Sequence, residues 1–197
     1  MTTLKYDQSY WADRYTTDNT PWDIGYASPP IVEYFEGLND KSAKILIPGC
    51  GNAHEAAALY DMGFTNVQVM DIAEEPISNF KNAYPDFPSN QVILGDFFEH
   101  TGHYDVIVEQ TFFCALHPQE RSRYIQKMNE LLTPEGVLVG VLFDAELNAD
   151  KPPYGGNKDV YQKLFAPHMD IVKMERCYNS IAPRAGRELF IEMKSSR

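Results

Sequence analysis

Ala43-Lys44-Ile45-Leu46-Ile47-Pro48-Gly49-Cys50-Gly51-Asn52 decides how this chain folds. A short apolar run rich in β-branched residues reads as a buried strand. Pro48 and Gly49 end it, and two glycines let the backbone turn sharply and pass close to a ligand. A helical stretch from Ala53 to Met62 follows and stops at Gly63. Strand, glycine turn, helix is how a βαβ unit begins.

The alternation continues downstream. Val67-Gln68-Val69-Met70 is a second strand ending in Asp71, and Glu74 to Tyr84 suits a helix with Pro76 in its first turn. Gln91 to Leu94 is strand-like and ends at Gly95-Asp96. Tyr104 to Val108 reads as a fourth strand, with a helix from Pro118 to Leu132. Pro134-Glu135-Gly136 then turns the chain into a fifth strand, Val137 to Phe143. This rhythm predicts a parallel, doubly wound sheet. The tail breaks it. After a helix at Asp159–Phe165, two strand-like runs, Asp170–Cys177 and Glu188–Lys194, are joined by Asn179 to Arg187 with no helix between them. They should pair as an antiparallel hairpin. The expected architecture is α/β: a seven-stranded, mostly parallel Rossmann-like sheet closed by that hairpin.

Upstream, residues 4–38 are rich in aromatics and carry turn signals at Thr20-Pro21 and Ser28-Pro29-Pro30. They read as a short helix around Tyr10–Tyr15, a loop, and a helix through Ile31–Phe35. Trp11, Tyr15 and Trp22 would be costly to leave exposed, so this segment should pack on the domain as a helical cap. The expectation is a single domain over residues 1–197, with a cap at 1–42 and a core at 43–197.

The chain has 197 residues and a formal net charge of −11. That charge weighs against nucleic-acid backbones and anionic membranes, which favour Lys/Arg patches. Cys50, Cys114 and Cys177 are scattered and odd in number, which argues against a disulfide framework or a zinc knuckle. The N-terminus lacks the charged head and apolar stretch of a signal peptide, and no run is long enough to span a bilayer. A cytoplasmic monomer acting on a small molecule, with neither nucleic acid nor membrane as partner, is the plain expectation. His54 and His117 read as helix-start residues. The His100/His103 pair reads as an exposed turn without ligand spacing, so no metal is assigned.

Open α/β sheets bind ligands at the carboxyl ends of their strands. Here those ends carry Gly49 and Gly51, then Asp71, then Asp96-Phe97. An acid after the second strand accepts ribose hydroxyls. A carboxylate and a ring after the third suit the amino group and the face of adenine. Together they describe an adenosine site. A nicotinamide cofactor prefers a third glycine in the loop, where this chain has His54 followed by Glu55. A carboxylate there repels a pyrophosphate but suits the ammonium of a methionine-like tail, so S-adenosylmethionine fits better.

Tyr10-Trp11 with Tyr15, Thr20-Pro21-Trp22-Asp23-Ile24-Gly25, Ile47-Pro48-Gly49-Cys50-Gly51, Asp71-Ile72, Gly95-Asp96-Phe97-Phe98, Thr111-Phe112-Phe113-Cys114-Ala115-Leu116 and Pro152-Pro153-Tyr154 resemble the thiopurine methyltransferase superfamily. Its plant and fungal halide/thiol methyltransferases are the most similar branch. The resemblance implies a class I methyltransferase fold with S-adenosylmethionine as cofactor. It implies cofactor contacts from Trp11, Tyr15, Trp22, Gly49, Gly51, Asp71, Ile72, Asp96, Phe97 and Gln110. Tyr15 departs from the family's usual tryptophan, Gln110 from the tyrosine of the halide branch, and Asn52-Ala53 from a more glycine-rich turn.

The expected reaction is methyl transfer to a small soft nucleophile: a thiol, thiopurine, bisulfide or halide. Such acceptors need little help from a base. Tyr154 and Phe113 are the expected catalytic residues beside the acceptor. Arg184 and Arg187 are either anion attractors or solvated turn residues. Two other readings compete: an NAD-dependent oxidoreductase, which shares the loop and Asp71, and a non-catalytic S-adenosylmethionine-binding protein.

Overall fold

A computed structural model describes residues 6–197, so the first five residues of the expected cap lie outside the described residues. Helix α1 (Gln8–Thr16) opens the chain, its N-terminus capped by Asp7, which accepts from the Tyr10 N–H. Helix α2 (Pro29–Glu36) starts on two prolines, whose missing N–H groups cost nothing in a first turn. The core then runs β1 (Ile45–Pro48), α3 (His54–Asp61), β2 (Val67–Asp71), α4 (Glu74–Ala83), β3 (Val92–Leu94), β4 (Tyr104–Gln110), α5 (Arg121–Leu131) and β5 (Leu132–Phe143). Helix α6 (Lys158–Phe165) and strands β6 (Met169–Arg176) and β7 (Glu188–Ser195) complete it.

The seven strands form one sheet in the order β3-β2-β1-β4-β5-β7-β6. Strands β1 to β5 pair in parallel, while β7 runs antiparallel to both of its neighbours. The expected hairpin is present, and its second strand sits between β5 and β6. Alternation of side chains along a strand divides the core in two. Ile45, Ile47, Val106 and Val108 pack with Ile31, Phe35 and Phe80 on the face covered by α2, α3 and α4. Leu46 and Ile107 point the other way, into a cluster with Tyr124, Met128 and Phe165 of α5 and α6.

One expected boundary is corrected. Leu132 already pairs with Tyr104, and the register then jumps to Val106↔Val137. Pro134-Glu135-Gly136 is therefore an irregularity within β5 rather than the turn that precedes it, because pairing with β4 begins on both sides of it.

Candidate active site

The loop after β1 alternates into left-handed backbone, with φ +58° at Gly49, +53° at Gly51 and +53° at Ala53. Only at the last does a side chain bear that conformation, at a typical cost of about 1–2 kcal/mol. A Cβ on Gly49 would lie 2.3 Å from the Phe112 ring, and one on Gly51 would lie 2.8 Å from the Tyr15 hydroxyl. The glycines thus let an aromatic ring from the β4 end and a phenol from α1 close directly onto the loop.

Asp71, at the tip of β2, is 7% exposed. Its Oδ2 accepts from the Gly51 N–H at 2.9 Å and its Oδ1 from the Ala73 N–H at 2.9 Å. Burial raises its carboxyl above the usual range, against the pull of those backbone donors. The two bonds fix the carboxylate plane and leave lone pairs for further donors. At the end of β3, Asp96 uses one oxygen to accept from the Phe98 N–H at 2.8 Å. Phe97 packs edge-on against Phe112, with ring centres 5.2 Å apart.

The cap closes from above. Trp11 and Trp22 meet edge to face at 5.5 Å, and Tyr15 meets Trp22 at 5.9 Å. Burial first, then the charge of Asp71, pushes the Tyr15 phenol well up. Asp23 ties this segment to the loop: it accepts from the Asn52 amide at 2.5 Å, sits 2.8 Å from His54 Nε2, and accepts from the Gly25 N–H at 2.7 Å. The His54 bond, the largest influence, holds the Asp23 carboxyl down at about 2 and raises His54 in turn.

These pieces enclose a cavity of about 1040 Å³. Trp11, Tyr15, Trp22, Gly49, Gly51, Asp71, Ile72, Asp96, Phe97 and Gln110 all line it. The buried Oε1 of Gln110 has no hydrogen-bond partner. Acceptors for hydroxyls and an amino group, a stacking ring and an unpaired amide oxygen at the end of β4 fit an adenosylated amino acid. Glu55 also lines the cavity, but its Oε1 already accepts from the Ser28 N–H at 3.0 Å. Burial raises its carboxyl, so its first role is to seat α2.

The two residues expected beside the acceptor, Phe113 and Tyr154, are not among those lining the cavity. Phe113 is 1% exposed and does not line the cavity. Thr111 adopts φ +58°, so the next two residues diverge: Phe112 faces the loop, and Phe113 packs on Tyr124, Tyr161 and Phe165. Tyr154 is 2% exposed, with its hydroxyl 3.2 Å from that of Tyr6, while Pro152 and Pro153 line the cavity in its place.

Other residues are settled by their surroundings. Arg184 is a wall residue, 9% exposed; it donates to the Trp22 carbonyl at 2.9 Å and faces Glu188 at 3.5 Å. Arg187 is exposed. His54 and His117 do open helical turns. His100 departs from the exposed reading: it is half-buried, bonds the Tyr104 hydroxyl at 2.7 Å, and burial lowers its imidazole. Among the described residues no cluster of three or more His, Cys, Asp or Glu is placed to hold a metal.

Sequence reasoning missed Glu109. Its Oε1 accepts from the Phe112 and Phe113 N–H groups at 2.9 and 2.8 Å, and its Oε2 from the Tyr124 hydroxyl. Burial pushes it up to about 7. The available signal was a carboxylate directly after a run apolar on both faces, Val106-Ile107-Val108-Glu109.

The profile of the family described as Thiopurine S-methyltransferase (TPMT) matches residues 6–193. The chain belongs to that family. It is an S-adenosylmethionine-dependent methyltransferase of the class I fold, and the nicotinamide alternative falls away. Among relatives, it is similar to the probable thiol methyltransferase 2 of Arabidopsis thaliana, 27% identical over 192 residues, covering 94% of this chain and 84% of that one. Thiocyanate methyltransferase 1 of Brassica oleracea is 28% identical over 188 residues, covering 92% and 83%. Among solved structures, the Burkholderia thailandensis 1,6-didemethyltoxoflavin-N1-methyltransferase, bound to S-adenosylhomocysteine, superposes with a TM-score of 0.78 at 19% identity, covering 96% and 87%. Magnesium protoporphyrin IX methyltransferase from Synechocystis, also with S-adenosylhomocysteine, gives 0.72 at 15% identity, covering 96% and 100%.

Proposed function

We propose that this methyltransferase acts on a small soft nucleophile carrying negative charge, of the thiolate, thiopurine, bisulfide, thiocyanate or halide kind. The observation that carries the reading is Arg184, a nearly buried guanidinium that lines the cavity while its ion-pair partner, Glu188, does not. Strand order sets the layout. Asp96 and Asp71, at the ends of β3 and β2, would hold adenine and ribose, and the Gly49 loop after β1 would receive the methionine end. The acceptor would then face the cavity wall formed by Phe112, Leu116, Phe143, Pro152 and Arg184.

S-adenosylmethionine, when bound, supplies an electrophilic methyl on a sulfonium, whose C–S bond breaks as the nucleophile's lone pair forms the new bond. The chain supplies alignment and exclusion of water. The indoles of Trp11 and Trp22 roof the site, and orientation of this kind is worth several kcal/mol, up to roughly 7–11 kcal/mol. His117 lies in the cavity wall, its Nδ1 accepting from the Gln119 N–H at 3.3 Å. A nucleophile that is already anionic needs no base.

The probable thiol and the thiocyanate methyltransferases among the relatives support this acceptor class. The proposal also takes the whole chain as one domain, a monomer in a reducing, cytoplasmic setting, with no nucleic-acid or membrane partner. The test is turnover with S-adenosylmethionine against iodide, bisulfide, thiocyanate, an aryl thiol and a thiopurine, counting methylated product. Product from at least one is expected, with the acceptor KM of Arg184→Met raised about tenfold or more while S-adenosylhomocysteine binding is kept. Tight cofactor binding without turnover on the whole panel would sink the acceptor class and favour a purely binding role.

A further inference from the structure

Three arginines line the cavity, Arg14, Arg123 and Arg184. Two of them have protein partners. Arg123 faces Glu99 at 3.6 Å and Glu120 at 3.4 Å, with its guanidinium 4.1 Å from the centre of the Phe98 ring. Arg184 is held by the Trp22 carbonyl and Glu188.

Arg14 differs. It lies in the last turn of α1, its guanidinium 5.5 Å from the centre of the Tyr10 ring and 5.9 Å from that of Trp22. Among the described residues no carboxylate oxygen lies within 4.0 Å of its nitrogens. Its Nε is buried with no hydrogen-bond partner. A buried donor left unmade is costly.

Position narrows what completes it. Trp11, Arg14 and Tyr15 fall at i, i+3 and i+4, on one face of α1, and all three line the cavity. Tyr15 reaches the loop at Gly51, and Trp22 contacts all three side chains. Arg14 therefore stands in the roof next to Tyr15, the residue that reaches the glycine loop, on the side where the proposed layout puts the amino-acid end of the cofactor. That end carries the only anionic group of S-adenosylmethionine.

We propose that Arg14 binds the carboxylate of the cofactor's methionine end, so that the cofactor itself fastens α1 over the site. The inference rests on the reading that this cavity takes S-adenosylmethionine. A guanidinium–carboxylate contact is charge-assisted and often bidentate.

Calorimetry with three ligands tests it: S-adenosylmethionine, its decarboxylated analogue, and methylthioadenosine. For the native chain, S-adenosylmethionine should bind at least tenfold more tightly than the decarboxylated analogue. Arg14→Met should weaken S-adenosylmethionine about ten- to a hundredfold and leave the other two within about twofold, while Arg14→Lys recovers part of the loss. Equal weakening of all three ligands, or no weakening, overturns the assignment, as does a native chain that ignores the carboxylate. A native chain that binds none of the three overturns the cofactor reading as well.

Discussion

Gly49 combines a left-handed φ of +58° with a Phe112 ring carbon 2.3 Å from where a Cβ would stand. Alanine there pays about 1–2 kcal/mol for the backbone and about 1–3 kcal/mol for the forced shift of a packed ring. Thermal melting of Gly49→Ala should fall by roughly 5–15 °C, with weakened S-adenosylhomocysteine binding. A native-like melting temperature would contradict this loop geometry. Gly51→Ala meets only the tip of Tyr15 at 2.8 Å, which can swing aside, so its melting loss should be the smaller of the two.

Between elements, the connection that matters runs from the α1–α2 loop to the start of α3. Asp23 bonds His54, and Glu55 adds to the field that raises that imidazole. A raised His54 contributes stability fully below its unfolded value near 6.5, and loses it as pH rises through the folded value. A depressed Asp23 contributes above its unfolded 3.8 and loses that as pH falls through about 2. The charged pair is thus complete between about pH 4 and pH 6.5. His54→Gln keeps a neutral donor for Asp23. The stability advantage of the native chain over it should be largest in that window and shrink on the alkaline side. Melting curves of both proteins across pH check this, and a constant difference would mean that no charge is involved. The Asp23–His54 contact was not legible beforehand. The Thr-Pro-Trp-Asp block and His54 were both noticed, but thirty-one residues separate the partners, and only folding of the cap onto the loop joins them.

At the scale of the molecule, β7 is an interior strand, with Ile191 fully buried and registered between Gly140 and Met174. Ile191→Ala should cost about 2–5 kcal/mol in urea unfolding, while Val172→Ala on the edge strand β6, at 52% exposure, should stay within about 0.5 kcal/mol. Comparable losses at the two positions would place β7 at the edge instead. Apolar runs, glycine turns and periodicity were enough, from the sequence alone, for the alternating strands and helices, the terminal hairpin and the acids at the strand tips. These are local patterns, each written within a dozen residues. Which hairpin strand meets β5, that Phe112 rather than Phe113 faces the site, and that Arg184 is wall rather than surface were decided only by tertiary structure. Each depends on which distant side chains compete for the same buried space, and spacing along the chain carries no record of that competition.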